Sequence, residues 1–131
     1  MRSLDTNLVL RLLVQDVPGQ TQKVIRLIDS AKTNELMVAD AVFFECVWIL
    51  SGSNYSFSRE LIGKLLLQIT EIPQIQCNQV MLEKAVPAYV AHPAVSFVDA
   101  CLATYAELNG AAPLLTFDKK LARQLPQAEL L

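Results

Sequence analysis

Four acidic residues stand out because of where they fall along the chain. Asp5 and Asp118 each follow directly on a predicted strand, Asp99 lies in the first turn of a predicted helix, and Glu45 lies about a turn and a half into another. In an open α/β sheet, such positions meet at the carboxyl edge of the strands, where ligands bind. Four ionised carboxylates there would repel one another, so a divalent cation is expected among them, and Mg²⁺ and Mn²⁺ prefer such oxygen ligands.

Glu45 carries the strongest signal of the four. It lies in the apolar run "VFFECVWIL" (42–50), where its carboxylate is expected to lose its water at a cost of several kcal/mol. The residues one helical turn away offer no Lys or Arg to neutralise it; they are Ala41, Val42, Trp48 and Ile49. We therefore expect a partner from elsewhere in the fold, a metal or a metal-bound water. The alternative is an outward-facing Glu on a half-exposed helix.

The other three acids have a simpler explanation when each is considered alone. Asp5 and Asp118 could cap the helices that follow them, and Asp99 occupies the last position of a Ser-x-x-Asp capping-box pattern that begins at Ser96. Capping is the more frequent role for any single residue of this kind. The four together are what favour a site.

Hydrophobic periodicity and turn residues define the elements that would position these acids. Alternation of strands and helices implies α/β layering with a largely parallel sheet. Pro87 is expected to kink or split its helix. The predicted strands are 3–6, 35–40, 74–77, 112–117 and 128–131, and the predicted helices are 7–16, 19–33, 41–51, 59–70, 79–91, 96–110 and 119–125.

Composition restricts the possible functions. The chain of 131 residues fits one domain, 1–131, and its net charge of −2 excludes a generally basic nucleic-acid binder. Its apolar content of 53% predicts an exposed apolar patch and hence a dimer or a tight complex. Cys46, Cys77 and Cys101 lack CxxC spacing and suit reduced thiols. With no long apolar segment, the chain is expected to be soluble and cytoplasmic, without a membrane partner.

The motifs around the four acids resemble those of a known family. They are "LDTN" (4–7), "ECVWIL" (45–50), "SFVDACLA" (96–103) and "LLTFDKKL" (114–121). In this order and spacing they resemble the PIN domain, particularly the VapC-like toxins of bacterial toxin–antitoxin pairs. The resemblance implies a three-layer α/β/α fold with a central, mostly parallel sheet of four to five strands flanked by helices. It also implies an Mg²⁺- or Mn²⁺-dependent endoribonuclease that cuts single-stranded or looped RNA and is held inactive by a cognate antitoxin protein.

The resemblance also implies roles for individual residues. It maps the four acids onto the catalytic quartet of the family, with Asp5 and Asp99 as the principal metal ligands. Glu45 and Asp118 would complete the site through a second metal or through water. The polar supporting positions of the family correspond to Thr6, Asn7 and Thr116.

Several further residues have two possible roles. Lys119, Lys120 and Arg123 could hold phosphates beside the scissile bond, or they could simply form a solvated last helix. Trp48 could stack on a base, but within an apolar helix it is predicted to be core. Asp40 departs from the pattern of the family and could either cap a helix or add negative charge to the site. His92 is assigned no role.

Two other classes of function compete with a toxin nuclease. One is a PIN-like module that binds partners without turnover, beside which stands a housekeeping PIN nuclease without an antitoxin. The other is a phosphatase or phosphoacceptor domain with Asp5 as nucleophile. The phosphatases with a similar motif need a second Asp two positions on, where this chain has Asn7.

Overall fold

The chain folds into seven helices and five short strands. The computed structural model describes all of residues 1–131. The helices are α1 (Thr6–Val14), α2 (Pro18–Ser30), α3 (Asp40–Ser51), α4 (Arg59–Thr70), α5 (Gln79–Ala91), α6 (Phe97–Leu108) and α7 (Lys119–Gln124). The strands are β1 (Arg2–Ser3), β2 (Leu36–Met37), β3 (Ile75–Gln76), β4 (Leu114–Thr116) and β5 (Ala128–Leu130).

All strand pairs are parallel. β1, β2 and β3 form one sheet in that order, with Leu36 of β2 paired to Arg2 on one side and to Ile75 on the other. β4 and β5 form a second sheet, in which Thr116 pairs with Leu130. Parallel strands need crossover connections, and helices supply them here, so the predicted α/β class is confirmed.

The strands differ from the prediction in length and in connection. Each has two or three residues, where the sequence predicted four to six, and backbone hydrogen bonds join them into two sheets of three and two strands rather than one central sheet. The strands are shorter because a helix begins within a few residues of the end of β1, β2, β3 and β4. The chain leaves the extended conformation as soon as the helix cap is reached.

Two prolines lie within helices. Pro18 lies in the first turn of α2, where its missing N–H would have had no partner in any case. Pro87 lies inside α5, which is nevertheless one continuous helix from Gln79 to Ala91. Of the two outcomes expected at Pro87, a kink or a split, the split is therefore wrong.

The core is one continuous apolar cluster between the helices and the three-stranded sheet. α5 packs against both α4 and α6, while α3 contacts α1, α4 and α6. Side chains from every layer are excluded from water, which at about 25 cal/mol per Å² supplies the main favourable term for folding. The largest fully buried side chains include Leu36, Phe43, Leu50, Ile62, Leu66, Ile69, Met81 and Leu82.

Arg59, the first residue of α4, fixes the turn that leads from α5 into α6. One of its guanidinium nitrogens donates to the carbonyl oxygens of Tyr89 at 2.8 Å, His92 at 3.2 Å and Val95 at 2.6 Å. Its charged carbon lies 4.2 Å from the centre of the Tyr89 ring, a cation–π distance. A single side chain thus links the last turn of α5, its C-cap residue His92 and the turn before α6.

Gly63 allows α4 and α5 to approach closely. A Cβ atom at this position would lie 2.8 Å from a methyl carbon of Val90 and 3.0 Å from one of Val86. Valine has few alternative rotamers in a helix, so these methyl groups cannot easily move away. By contrast, a Cβ at Gly19 in α2 would meet nothing within 4 Å.

We expect Gly63→Ala to destabilise the protein by about 1–3 kcal/mol, because the added methyl group overpacks the α4–α5 contact. Gly19→Ala is the matched control and should be neutral or stabilising by up to about 1 kcal/mol, since alanine favours a helix and the space is open. The free energy of unfolding from urea titration measures both. Equal stability of the two variants would contradict this account of the contact.

The three cysteines are free thiols, with no disulfide between them. Burial raises the pKa of Cys46 and of Cys101 to about 12, and the nearby charges of Glu45 and Asp40, respectively, act in the same direction. Cys77 is only half-buried, although burial and then Asp40 raise its pKa as well. Two of the thiols are therefore both inaccessible and protonated at neutral pH.

With a thiol-specific disulfide reagent at about pH 8, we expect no more than one thiol, Cys77, to react in the folded protein, because the thiolate is the nucleophile. Cys46 and Cys101 should react only after unfolding by denaturant. Absorbance at the wavelength of the released thiolate counts the reacting groups. The Cys77→Ser variant is the control and should lose the early phase, whereas rapid reaction of two or more thiols would disprove the burial of Cys46 or Cys101.

Candidate active site

Asp5 lies at the junction of β1 and α1. The preceding residue, Leu4, is anchored in the core with 3% exposure, and its N–H donates to the carbonyl of Met37 at 2.8 Å. Asp5 has extended backbone angles and caps α1, its Oδ1 accepting from the N–H of Leu8 at 3.0 Å. The side chain is exposed, and its second oxygen has no hydrogen-bond partner. The capping role predicted for Asp5 is therefore confirmed, and one carboxylate oxygen remains free.

Asp118 occupies the equivalent position between β4 and α7. Its Oδ1 accepts from the backbone N–H of Lys120 at 2.9 Å and of Leu121 at 3.0 Å. Its own N–H donates to Oγ1 of Thr116 at 3.0 Å, so the turn is held from both sides. Asp118 also is exposed and keeps one oxygen without a partner. Of the three supporting positions predicted, Thr116 has this contact, whereas the side chains of Thr6 and Asn7 form no hydrogen bond.

Asp99 lies in the first turn of α6. Ser96 caps this helix through Oγ, which accepts from the N–H of Asp99 at 3.0 Å, as the Ser-x-x-Asp pattern predicted. The carboxylate of Asp99 is half-buried and has no hydrogen-bond or ion-pair partner within the protein. Because Arg59 fixes the carbonyl of Val95 immediately before Ser96, the start of α6 and hence the position of Asp99 are well determined.

Glu45 and Trp48 are both on the solvent side of α3, which corrects two predictions. Glu45 is exposed and does not lose its water, and the side chain of Trp48 is 81% exposed rather than core. The buried face of α3 is formed by residues at helical spacing. They are Phe43, Cys46, Val47 and Leu50, and the opposite stripe contains Ala41, Glu45 and Trp48.

The elements that carry the four acids form a connected series of contacts. α1 packs against α3, α3 against α6, and α6 against β4, which leads into Asp118. Their side chains, however, are not gathered at coordinating distance, because no group of three or more His, Cys, Asp or Glu residues is close enough together to hold a metal ion. The structure thus brings the supporting elements together but does not bring the carboxylates into one cluster.

The chemistry of the donor set nevertheless fits a hard divalent cation. All four groups offer carboxylate oxygen, the ligand type that Mg²⁺ and Mn²⁺ prefer. None of them forms an ion pair, because the three ion pairs in the protein involve other acids. Capping uses only one oxygen in each of Asp5 and Asp118. A binding-competent oxygen is therefore present at every one of the four positions.

A fifth acid, Asp40, has a role that the sequence did not reveal. It lies within the first turn of α3, while Ala39 occupies the cap position, so the predicted capping by Asp40 is wrong. Its carboxylate accepts from the hydroxyl of Tyr105 at 2.5 Å and from the amide of Asn78 at 3.2 Å. Burial, followed by this hydrogen bond, raises the pKa of Tyr105. Asp40 thereby links the starts of α3 and α5 to α6. Its two partners, Asn78 and Tyr105, are distant along the chain, so the spacing of residues in the sequence could not indicate these contacts.

The basic residues after Asp118 are available to a ligand. Lys119, Lys120 and Arg123 are exposed, and none of them forms an ion pair.

His92 has a structural contact: its Nδ1 lies 3.1 Å from Oε1 of Gln124, which links the end of α5 to α7. None of the helices has the length and apolar character needed to cross a membrane.

Comparison with known proteins agrees with this arrangement. The PIN domain family matches residues 3–124, which include all four of the predicted site acids. No curated protein is similar enough in sequence to count as a match. A match over nearly the whole length, together with the parallel α/β topology, establishes the assignment, and the chain is a member of the PIN domain family.

Proposed function

We propose that this protein is a divalent-metal-dependent endoribonuclease. PIN domains are generally nucleases, and they generally use divalent metals. One observation carries the proposal for this chain: four carboxylates on four different elements, all inside the matched region, each have an oxygen without a hydrogen-bond partner, and none of them forms an ion pair. Capping accounts for Asp5 and Asp118 but not for Glu45 and Asp99, whose carboxylates accept no backbone hydrogen bond.

Asp5 and Asp99 would hold the metal, with Glu45 and Asp118 completing the site. When bound, a divalent cation supplies the positive charge that makes water acidic and that balances charge on a phosphodiester. The chain contributes orientation. The cap on α1 fixes Asp5 with its free oxygen outward, and the paired contacts of Thr116 and Lys120 do the same for Asp118. Glu45, exposed on α3, would complete the site through a second metal or through water.

We further propose that the protein is a toxin of a toxin–antitoxin pair, cytoplasmic, dimeric and inhibited by a cognate protein. Support comes from the apolar content of 53% and from large apolar side chains that remain exposed. Among the latter are Trp48 on α3 and Val98 and Leu102 on α6. Co-expression with the product of an adjacent small open reading frame tests this part: rescue of growth together with co-purification supports it, and the absence of both favours a housekeeping nuclease.

The competing function is an interaction module without turnover. The observation that favours it is the lack of any cluster of acids assembled at coordinating distance. The two functions differ in what the free carboxylates do, because a module has no use for their charge. Substitutions that remove the charge but keep the shape therefore separate them.

We expect Asp5→Asn to lower the rate of RNA cleavage by about 10²–10³-fold. This is the effect typical of removing one group that stabilises the charge of a transition state. Asparagine caps helices as well as aspartate does, so the contact with Leu8 and the stability should be retained. Asp5→Ala should lose both, with about 1 kcal/mol of stability. Gel assays of labelled RNA and urea denaturation measure the two effects.

The control for this substitution is Asp29→Asn, which removes an exposed acid of α2 that has no partner in any hydrogen bond or ion pair. It should cleave RNA like the parent protein. Full cleavage by Asp5→Asn would refute the nuclease mechanism and favour the interaction module.

We also expect the metal to be required and to be bound by the predicted acids. Chelation with EDTA should stop cleavage, and Mg²⁺ or Mn²⁺ should restore it. Calorimetric titration of Mn²⁺ should show binding to the parent protein and to Asp29→Asn, and none to an Asp5→Asn, Asp99→Asn double variant. Cleavage that persists in EDTA, or Mn²⁺ uptake that is unchanged in the double variant, would refute the assignment of these ligands.

A further inference from the structure

Two aromatic side chains are far more exposed than the rest. The chain has one Trp, three Tyr and five Phe, and all but Trp48 and Phe117 are buried or half-buried. Trp48 is 81% exposed and Phe117 is 79% exposed. Each lies within three residues of a predicted site acid, Trp48 beside Glu45 and Phe117 beside Asp118. An aromatic ring left in water next to a candidate active site indicates a surface that a ligand covers.

The turn that carries Phe117 is held rigidly. The contact from the N–H of Asp118 to Oγ1 of Thr116 spans Phe117, and Asp118 in turn accepts from two backbone N–H groups of α7. Leu121, only 3% exposed, anchors this short helix in the core. The ring of Phe117 is therefore presented on a fixed backbone, which lowers the entropic cost of binding a ligand against it.

The electrostatic surroundings distinguish Phe117 from Trp48. Three exposed cations without ion-pair partners follow Phe117 within six residues; they are Lys119, Lys120 and Arg123. Trp48 instead borders a groove of about 500 Å³ that is mostly apolar, and the one cation there, Arg59, is committed to three carbonyl oxygens. Only at Phe117 does a free aromatic ring adjoin free positive charge.

We propose that Phe117 is a stacking platform for one unpaired base of the RNA substrate, and that Lys119, Lys120 and Arg123 contact the phosphates on either side of it. This inference rests on the proposed nuclease function and assigns the residues that select single-stranded RNA. Stacking on an aromatic ring together with basic contacts to the backbone is how proteins hold single strands, and it requires a base that is free of its duplex partner.

A protein partner on this surface would use it differently. Leu115 lies in β4, two residues before Phe117, and is 58% exposed. A docked protein would bury both side chains for their apolar area, whereas a base stacks on a flat ring and gains little from leucine. Shape at residue 117, rather than hydrophobicity, therefore separates the two kinds of ligand.

The test is binding of a fluorescently labelled, 2′-O-methylated single-stranded oligoadenylate in EDTA, where no cleavage occurs. We expect Phe117→Ala to weaken binding by roughly 5- to 100-fold, the effect typical of losing one base–aromatic stacking contact. Phe117→Leu should weaken it to a similar extent, while Phe117→Tyr and Phe117→Trp should bind like the parent protein. An abasic oligonucleotide should bind the parent protein and Phe117→Ala equally.

Controls separate stacking from charge and from apolar area. Leu115→Ala should bind like the parent protein, and a duplex of the same sequence should bind more weakly than the single strand. The Lys119→Ala, Lys120→Ala double variant should lower the slope of log affinity against log salt by about 1.4, at about 0.7 for each phosphate contact to a single strand. Because Phe117 is exposed, its variants should keep the melting temperature of the parent protein.

The inference is overturned if Phe117→Ala binds the oligonucleotide like the parent protein, if the parent protein does not bind it, or if Phe117→Leu restores binding. Equal losses of oligonucleotide binding for Leu115→Ala and Phe117→Ala would show that apolar area rather than stacking supports binding, and would also overturn it. The outcome is separable from that of the proposed function. Cleavage with normal binding by Phe117→Ala would overturn only this inference, and binding without cleavage by the parent protein would overturn only the nuclease assignment.

Discussion

The need of helix N-termini for hydrogen-bond acceptors organises this molecule. Each helix begins with backbone N–H groups that have no partner within it, and five of the seven helices meet that need with the side chain of the preceding residue. These caps are Asp5, Ser58, Asn78, Ser96 and Asp118. Because Asp5, Asn78 and Asp118 cap helices that begin within three residues of the ends of β1, β3 and β4, capping also sets where these three strands stop. The same local requirement places two of the candidate catalytic acids.

Capping and chemistry are compatible because a carboxylate has two oxygens. Asp5 and Asp118 use one oxygen to hold a helix and leave the other facing solvent. The cap fixes the rotamer, so the free oxygen is oriented without further side chains. Two polar interactions beyond the caps then link helices to one another. Arg59 holds the α5–α6 turn, and Asp40 joins the starts of α3 and α5 to α6.

Structural features that arise from neighbouring residues could be predicted from the sequence, whereas features that depend on contacts between distant residues could not. The caps at Asp5, Ser96 and Asp118 and the helices that they begin follow from short patterns, and they are found as expected. The exposure of Glu45 was missed because nearly every residue of α3 is apolar, which hides the helical stripe that it shares with Ala41 and Trp48. The role of Asp40 depends on Tyr105, which lies 65 residues away, and no local pattern can indicate such a pair.

The helices and strands that carry the four candidate acids were predicted from the sequence, whereas the catalytic role of these acids stays a prediction. The assembly of the candidate site was less predictable, because the separation of four carboxylates depends on helix tilt and on side-chain rotation, both of which are set by packing across the whole core. The division of the strands between two sheets has a similar origin. Which strands pair depends on how the fold positions segments that are far apart in the sequence, and the strand propensities of single residues do not encode those positions.

The brevity of the strands has a consequence for association between chains. A long unpaired strand at the side of a sheet is a template onto which another polypeptide can add, with aggregation as the result. Here β1 and β3, the edge strands of the three-stranded sheet, have two residues each, and β1 begins with an arginine. Such edges offer an incoming chain too few backbone groups to form a stable ladder. Self-association through sheet extension is therefore disfavoured, which leaves side-chain surfaces as the means by which this protein recognises other molecules.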